Sequence, residues 1–503
     1  MYYYNNYNYS AIPRFNSEHP EYQDYLKLWS KCRDCFRGEE AVKDGNQKYL
    51  PYLSMQDAGD YYSYKSRAIF LNTMRRTING LVGASIRKTP LIKVPPKMES
   101  YLNDINMNGM SFMEFLQFLI TEILITGRVN VVVDRDGDSR CYLTYYTAES
   151  GINWRLDKGS PHMACFVEQV NYTDDGFSHS MQEQYRVYDY DEDGNVRVKV
   201  AIKKRPDDEE RNNLAEEGEE EQKTDFEIVY ETIPTIRGQA MKEFPVFAFN
   251  AIGMGLDSLC PPPLLDLANI SISHYRTSAD LENGRHFTSL PQPYLTGVDP
   301  DEFQHGLRIG GNTAIIVPNE NARFGYLEFN GAGLGSLENA LREKEEMMAV
   351  VGARMMDGKK GVESAEASRI RQNVETSVLS HIVVTLENGL KKVLKFMTRW
   401  EGLDDSDVQL ELNMDFIDVR IPHQEIISLV QAYQMGGISM DTLLYNLKHG
   451  EVIPDDVSIE DEREKIEMDH GPTRSPEQDR SVVLEDSEPE ELRKSLSLSG
   501  RGD

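Results

Sequence analysis

From Ser364 to Trp400, apolar residues recur every three or four positions: Ile370, Val374, Val378, Ile382, Leu386, Leu390, Val393, Met397 and Trp400. That spacing puts them on one face of an α-helix. The segment spans 37 residues, roughly 55 Å at about 1.5 Å per residue. Helices this long are uncommon in compact domains, whose average is about 10–14 residues. A continuous apolar stripe must also be covered along its length. Whatever fold this chain adopts has to supply that cover.

The chain has 503 residues, so about three to four units are expected. Hydrophobic residues make up 40% and charged residues 27%, enough for a large core in a water-soluble protein. The net charge is −29. This argues against a static nucleic-acid clamp, which needs basic patches to displace counterions. It does not exclude a wall past which DNA slides. The five cysteines are widely spaced, which fits a reducing cytoplasm rather than a disulfide framework. Met1–Tyr9 has neither the basic region nor the apolar core of a signal peptide. The longest near-apolar stretch, 112–125, contains Glu114 and Glu122 and is too short to span a bilayer.

Along the chain, helices are expected at 22–36, at about 60–82 and at 111–126, the last opening with a Ser111/Glu114 capping box. Gly38 stops the first, and Gly80 and Gly83 are expected to end the second. Strand patterns cover 128–134, 141–146, 164–172, 183–190, 196–202, 226–232 and 246–250. Residues 207–221 hold nine acidic residues and one arginine, a solvated acidic loop. Pro261–Pro263 lead into a helix over 264–287, which Pro291 and Pro293 end. Glycine-rich short strands fill 294–330, and a second helix runs over 336–356. After the long helix come a strand over 408–416 and a helical pair split by Gly436-Gly437, with Ser439 as N-cap. From Glu451 on there are 17 acidic and 7 basic residues, and the last 30 or so are expected to be disordered.

The short motifs argue against the activities they could suggest. Cys32 and Cys35 lack a second ligand pair for zinc and share a helical face with Trp29 and Phe36, so they are expected to pack. Asp189–Gly194 resembles the first half of a calcium loop, but Val200 stands where the bidentate glutamate belongs, so a hairpin is expected. Asp134–Asp138 fails likewise at Tyr145. Gly331–Gly335 lacks the strand–loop–helix context of a phosphate cradle. Arg501-Gly502-Asp503 is a chance match to an adhesion tripeptide. No P-loop, GxSxG or HExxH occurs, and the ten histidines have no catalytic company.

The order of elements after Pro261 is more specific: a helix, a glycine-rich strand module, a returning helix, a short loop and a very long helix. With it go Pro262–Asn269 leading into His274–Asp280, Leu337–Met348 and Glu363–Ile370. Upstream lie Trp29–Gly38, Tyr49–Pro51, Thr77–Gly83 and Arg87–Pro90. Together these resemble the portal (head-to-tail connector) proteins of tailed double-stranded-DNA bacteriophages, over roughly residues 20–470.

The resemblance implies an α+β, ring-forming portal-type fold. Its parts would be an N-terminal arm expected to be disordered (1–19), an α/β wing (20–255), a first stem helix (256–287) and a small β-containing clip (288–335). A second stem helix (336–353), a tunnel loop (354–364) and the long helix and strand of the wing (365–422) follow. A helical crown (423–470) and a disordered acidic tail (471–503) end the chain. It implies a homo-oligomer, usually a 12-mer, at one capsid vertex of the virion, assembled in the host cytoplasm. Double-stranded DNA would pass through without sequence recognition. The implied partners are the terminase large subunit, a tail adaptor, the major capsid protein and the scaffold. No cofactor, metal, membrane or enzymatic activity is implied.

On this reading Lys359, Lys360 and Arg354 face the DNA channel. Asp299, Asp301, Glu302 and Arg308 in the clip meet terminase or adaptor. Ile382, Leu386 and Leu390 pack the long helix against neighbouring copies. An acidic lumen with a sparse ring of lysines would keep DNA moving rather than bound. Two other classes remain: a capsid scaffold or adaptor without a channel, and an enzyme whose site is assembled from distant residues.

Overall fold

The computed structural model describes residues 14–135, 137, 140–173, 176–204, 225–289, 292–297, 321–327, 331–353, 365–414, 416, 423–450, 452–453 and 457–470. The chain divides into two compact units, Met1–Phe416 and Ile417–Asp503.

The first unit opens with helices α1 (Tyr22–Arg37) and α2 (Glu39–Asp44), then α3 (Ala58–Arg67) and α4 (Thr73–Ser85). Tyr22, Trp29, Cys32 and Cys35 form the buried face of α1. The single helix expected over 60–82 is broken in two. Ala68 is extended, the Ile69 N–H donates to Ser278 Oγ at 3.2 Å, and Asn72 Oδ1 caps Arg75 N at 2.9 Å. The apolar period continues through the break, but bonds to another part of the chain win over it. Gly80 and Gly83 lie inside α4 and do not end it.

Next come β1 (Leu91–Lys93), α5 (Pro96–Glu99) and α6 (Phe112–Thr126). The expected capping box is present: Glu114 N donates to Ser111 Oγ at 3.3 Å, and Ser111 N to Glu114 Oε2 at 2.8 Å. Such a cap stabilises a helix by about 1 kcal/mol. Gly127, with φ +81°, ends α6 in the left-handed region and turns the chain directly into a strand.

The strands that follow are β2 (Arg128–Arg135), β3 (Cys141–Thr147), β4 (Gly151–Asp157), β5 (Ser160–Tyr172), β6 (Ser180–Tyr190), β7 (Val196–Lys203) and β8 (Phe226–Thr232). A small pair, β9 (Thr235–Ile236) and β10 (Gln239–Ala240), precedes β11 (Val246–Asn250) and β12 (Gly253–Met254). One antiparallel sheet has the order β12-β11-β2-β3 and another the order β4-β5-β6-β7-β8. Neither closes into a barrel. Strand β4 escapes the sequence reading. Its burial pattern is irregular and its pairing with β5 contains two register shifts, so no clean alternation marks it.

The arm expected to be disordered over 1–19 is held from Arg14 onward. The His19 N–H donates to Ile152 O at 2.8 Å, and the His19 ring stacks on Trp154 at 4.0 Å. Residues 1–13 lie outside the described residues.

The rest of the first unit consists of α7 (Leu265–Ser289), β13 (Gln292–Thr296), β14 (Arg323–Leu327), α8 (Leu334–Met348) with a π turn over Ala349–Ala353, α9 (Ala365–Trp400) and β15 (Gln409–Glu411). The strand expected over 408–416 shrinks to three residues, which pair antiparallel with β1.

The long helix α9 is present as expected, but its cover is different. Ile382, Leu386 and Leu390 are 0% exposed within the single chain, together with Val393, Leu394 and Met397, and Leu379 is 1% exposed. They join the same core as the apolar residues of α6, β2 and β11. The expectation that neighbouring copies cover this part of the stripe is therefore corrected: the chain covers it itself. Gly389 makes the close approach possible, since a Cβ there would meet Phe249 Cε1 at 2.3 Å. Val378, expected on the stripe, is half exposed, and Leu379 turns inward instead. Of the side chains before Val378 in α9, and so of Ile370 and Val374, nothing is described.

The second unit holds α10 (His423–Gln434), α11 (Met440–His449) and α12 (Ile459–His470). The expected split between its first two helices is present. Gly436 has φ +75°, and Ser439 Oγ accepts from Thr442 N at 3.2 Å. No helix among the described residues is long and apolar enough to cross a membrane.

Candidate functional site

Helices α7 and α8 form an antiparallel hairpin. Its rungs run in opposite sequence directions: Arg285 Nη2 to Glu338 at 2.8 Å, Lys344 Nζ to the Thr277 hydroxyl, His274 Nε2 to Glu345 at 3.4 Å, and Ser271 Oγ to Met348 Sδ at 3.5 Å. The inner face of α7 carries Leu267, Ala268, Ser271, Ile272, Tyr275 and Ala279. These step by three and four residues against α8 and the body of the unit, which is why 265–289 forms one helix. At the base of the hairpin the π turn closes on α7 and α4. A Cβ at Gly352 would lie 3.0 Å from Leu267 and from Thr77. Burial lowers the pKa of His274, and Glu345 opposes this while Lys344 adds to it.

The other end of the hairpin carries the antiparallel pair β13–β14, in register from Gln292↔Leu327 to Thr296↔Arg323. A two-stranded ribbon is marginal alone in water. This one exposes three aromatic rings, Tyr294, Phe324 and Tyr326, each at close to half its surface. Clustered exposed aromatics of this kind mark contact surfaces.

Of the residues singled out in the sequence, Ile382, Leu386 and Leu390 come together in the core. Arg354, Lys359 and Lys360 lie outside the described residues, as do Asp299, Asp301, Glu302 and Arg308. The acidic insert 207–221, the tail 471–503 and the C-terminal tripeptide lie outside them too. The segment 298–320 links β13 to β14, and 354–364 links the π turn to α9.

The CxxC pair packs as expected. Cys32 and Cys35 are fully buried. Burial pushes the Cys32 thiol up to about 12 and raises Cys35 as well, so both stay protonated at neutral pH. The calcium-like segment is the β6–β7 turn. Asp191 Oδ1 accepts from Asp193 N at 3.0 Å and Asn195 N at 2.7 Å, while Asp189 pairs with Arg197 and Lys199.

Two features of the first unit had no sequence signal. One is a cleft of about 900 Å³ between the two large sheets, lined in part by Asp134, Arg135, Tyr142, Arg186, Tyr230 and Trp400. Its charged groups are already paired. Arg186 meets Glu168 at 2.8 Å and Asp134 at 3.5 Å, and Arg135 meets Glu401 at 2.8 Å. The other is the Glu401 carboxylate, 3% exposed at the end of α9. It accepts from Arg135 and Cys141 N, each at 2.8 Å, and from Lys97 at 3.0 Å. These three partners come from separate places in the chain, so no local pattern announces them.

Burial alone would raise the Glu401 pKa, but its hydrogen-bond donors outweigh burial and hold it at about 2. Its folded pKa is therefore below its ordinary value of 4.5. The stability it contributes is complete above about pH 4.5 and is lost as pH falls toward about 2. Glu401→Gln should cost about 2–3 kcal/mol at pH 7. That difference from the unsubstituted chain should shrink at pH 3, as urea denaturation at both pH values would show. A cost that does not change with pH would contradict the assignment.

In the second unit, Leu443, Leu444 and Ile453 are the buried apolar residues among those described, while Ile427, Met435, Tyr445, Val452 and Met468 are exposed. Three helices with so small a shared core leave apolar surface open.

A sequence family described as a domain of unknown function, DUF4055, matches residues 263–401. The matched span runs from just before α7 to just after α9. No curated protein matches the sequence. Among solved structures, the chain is similar to one in the virion of a native gene transfer agent particle, at 11% identity. That match covers 78% of this chain and 94% of the other, with a TM-score of 0.39. It is also similar to a chain in the neck of the native particle computed with C12 symmetry, at 11% identity over 73% of this chain and 86% of that one, TM-score 0.36. A chain in the neck of the empty particle computed with C6 symmetry matches with the same identity and coverage, TM-score 0.38.

Proposed function

We propose that this chain is a portal-type subunit that catalyses no reaction, assembles into a ring, and lets double-stranded DNA pass through the ring at a capsid vertex. The observation that carries the reading is the succession α7, β13–β14, α8, π turn and α9. A helical hairpin bears a small strand module at one end, and its returning helix leads through 354–364 into a 36-residue helix. Open apolar surface supports assembly: the aromatics of β13–β14, Val378 and Val384 on the outer side of α9, and the thin core of the second unit. The net charge of −29 suits a wall that repels phosphate. On this reading the ring is a dodecamer that docks terminase and a tail adaptor through 288–335 and meets capsid and scaffold proteins around its rim.

Imaging of the purified full-length chain tests the class. Rings with a central hole of roughly DNA width, about 20 Å or more, are expected. Monomers that persist at high concentration would overturn the reading. Within the ring, Lys359→Ala combined with Lys360→Ala should leave assembly intact and change DNA packaging or retention. A ring structure with both side chains on its outer surface would remove that role.

A further inference from the structure

Segment 14–20 ties the β4 edge of the five-stranded sheet to the start of α1, and an imidazole sits in the middle of the tie. On the sheet side, the His19 N–H donates to Ile152 O at 2.8 Å, Asn153 Nδ2 to Ser17 O at 2.8 Å, and Cys165 Sγ of β5 to Phe15 O at 3.4 Å. On the helix side, Tyr22 N donates to His19 O at 2.9 Å and Glu21 N to His19 Nδ1 at 3.3 Å. The half-buried His19 ring lies on the Trp154 indole, with centroids 4.0 Å apart and planes 17° from parallel.

A proton on this ring works against the arrangement. A nitrogen that accepts a hydrogen bond has to be unprotonated, so a proton on Nδ1 removes the bond from Glu21 N and sets two donors face to face. The attraction of the indole for a cation is already engaged by Arg128 of β2, whose guanidinium lies 4.8 Å from the Trp154 centroid. Arg128 is 3% exposed and bonds to Leu256 O and Asn130 Oδ1, neither of them charged. An imidazolium would bring a second cation to the same ring. Burial holds the His19 pKa below its ordinary 6.5; Glu21 opposes this and Arg128 adds to it. Glu18, the carboxylate of the segment itself, is turned to Gln23 Nε2 at 2.7 Å.

We propose that segment 14–20 is an acid-released strap: neutral His19 holds it on β4, and protonation of the ring frees it, uncovering the β4 edge and the Cys165 thiol. Cys165 is 3% exposed with the strap in place. Because the docked ring resists the proton, the hold is complete above about pH 6.5 and is lost as pH falls below that. One proton per strap lets the opening equilibrium rise by up to about tenfold between pH 7.5 and 5.5. Ordinary carboxylates titrate well below this window. The proposal does not depend on the portal reading.

Hydrogen exchange at pH 7.5, 6.5 and 5.5, corrected for the intrinsic pH dependence of amide exchange, tests it on the full chain and on His19→Phe and His19→Asn. Phenylalanine keeps a ring on Trp154, asparagine keeps a side-chain acceptor for Glu21 N, and neither takes up a proton. In the unsubstituted chain, protection of the His19 and Tyr22 amides should fall about three- to tenfold from pH 7.5 to 5.5. Protection of β6 should stay constant, which shows that the sheet remains folded. In both variants the protection of 17–22 should not change with pH. At pH 5.5 a thiol reagent should label Cys165 faster in the unsubstituted chain than in His19→Phe, as mass spectrometry of the labelled peptide would read. A flat profile in the unsubstituted chain overturns the proposal. So does the same fall in either variant, which would assign the titration to another group.

Discussion

Leu386→Asp should leave no folded protein to assemble. Leu386 is 0% exposed in the middle of α9, among residues that share one core with α6, β2 and β11. Truncating such a leucine to alanine costs about 2–5 kcal/mol. A carboxylate there adds the cost of an unpaired buried charge or of a forced neutral acid. The sum exceeds much of the roughly 5–15 kcal/mol that holds a typical fold together. Circular dichroism and size-exclusion chromatography should show unfolded or aggregated chain. Val384→Asp, two residues away on the 41% exposed side, is the contrast. It should change the stability of the single chain by no more than about 0.5 kcal/mol. If that side of α9 meets a neighbouring copy, Val384→Asp should lose the ring while the subunit still melts cooperatively. A soluble, normally melting Leu386→Asp protein would mean that α9 is not seated in the core as described.

The second large effect is expected at Arg33. Its guanidinium, on α1, joins two carboxylates from elsewhere in the chain. Nη1 and Nη2 meet Glu122 of α6 at 3.0 and 2.7 Å, and Nε and Nη2 meet Glu149 at 2.6 and 2.9 Å. Glu122 is 4% exposed. Burial would lower the Arg33 pKa, but the two carboxylates overcome it and raise it, so the group stays charged. Arg33→Ala removes the cation that bridges both carboxylates and should cost about 3–5 kcal/mol, mostly as buried charge without this partner. Arg33→Lys keeps the charge but not the planar fork, so it should recover only part of this. Adding Glu122→Gln to Arg33→Ala should restore some stability, because the stranded charge is then gone. Equilibrium urea denaturation of the four proteins measures all of this. A loss below about 1 kcal/mol in Arg33→Ala would show that the clasp contributes little.

The parts of this protein that were legible in its sequence are those held by bonds between near neighbours. The long helix, the Ser111/Glu114 box, the Ser439 cap and the Asp191-centred turn each depend on groups a few residues apart. Hydrogen bonds at i→i+3 or i→i+4 and the helical period leave their pattern in the order of residues. The buried pairing of Cys32 with Cys35 followed in the same way, since three residues separate two positions on one helix face.

What the tertiary structure alone decided involves partners far apart in the chain. The break at 68–72 depends on Ser278, the short strand at 409–411 on residues 91–93, and Arg33 on Glu122 and Glu149. An apolar stripe shows that a helix face must be covered, and it looks the same whether the cover is a neighbouring copy or the chain's own sheet. The hydrophobic effect has no direction and rewards any removal of apolar surface from water. Which surface arrives first is set by the chain's connectivity and by close fits such as Gly389 against Phe249. For Ile382, Leu386 and Leu390, that surface belongs to the same chain.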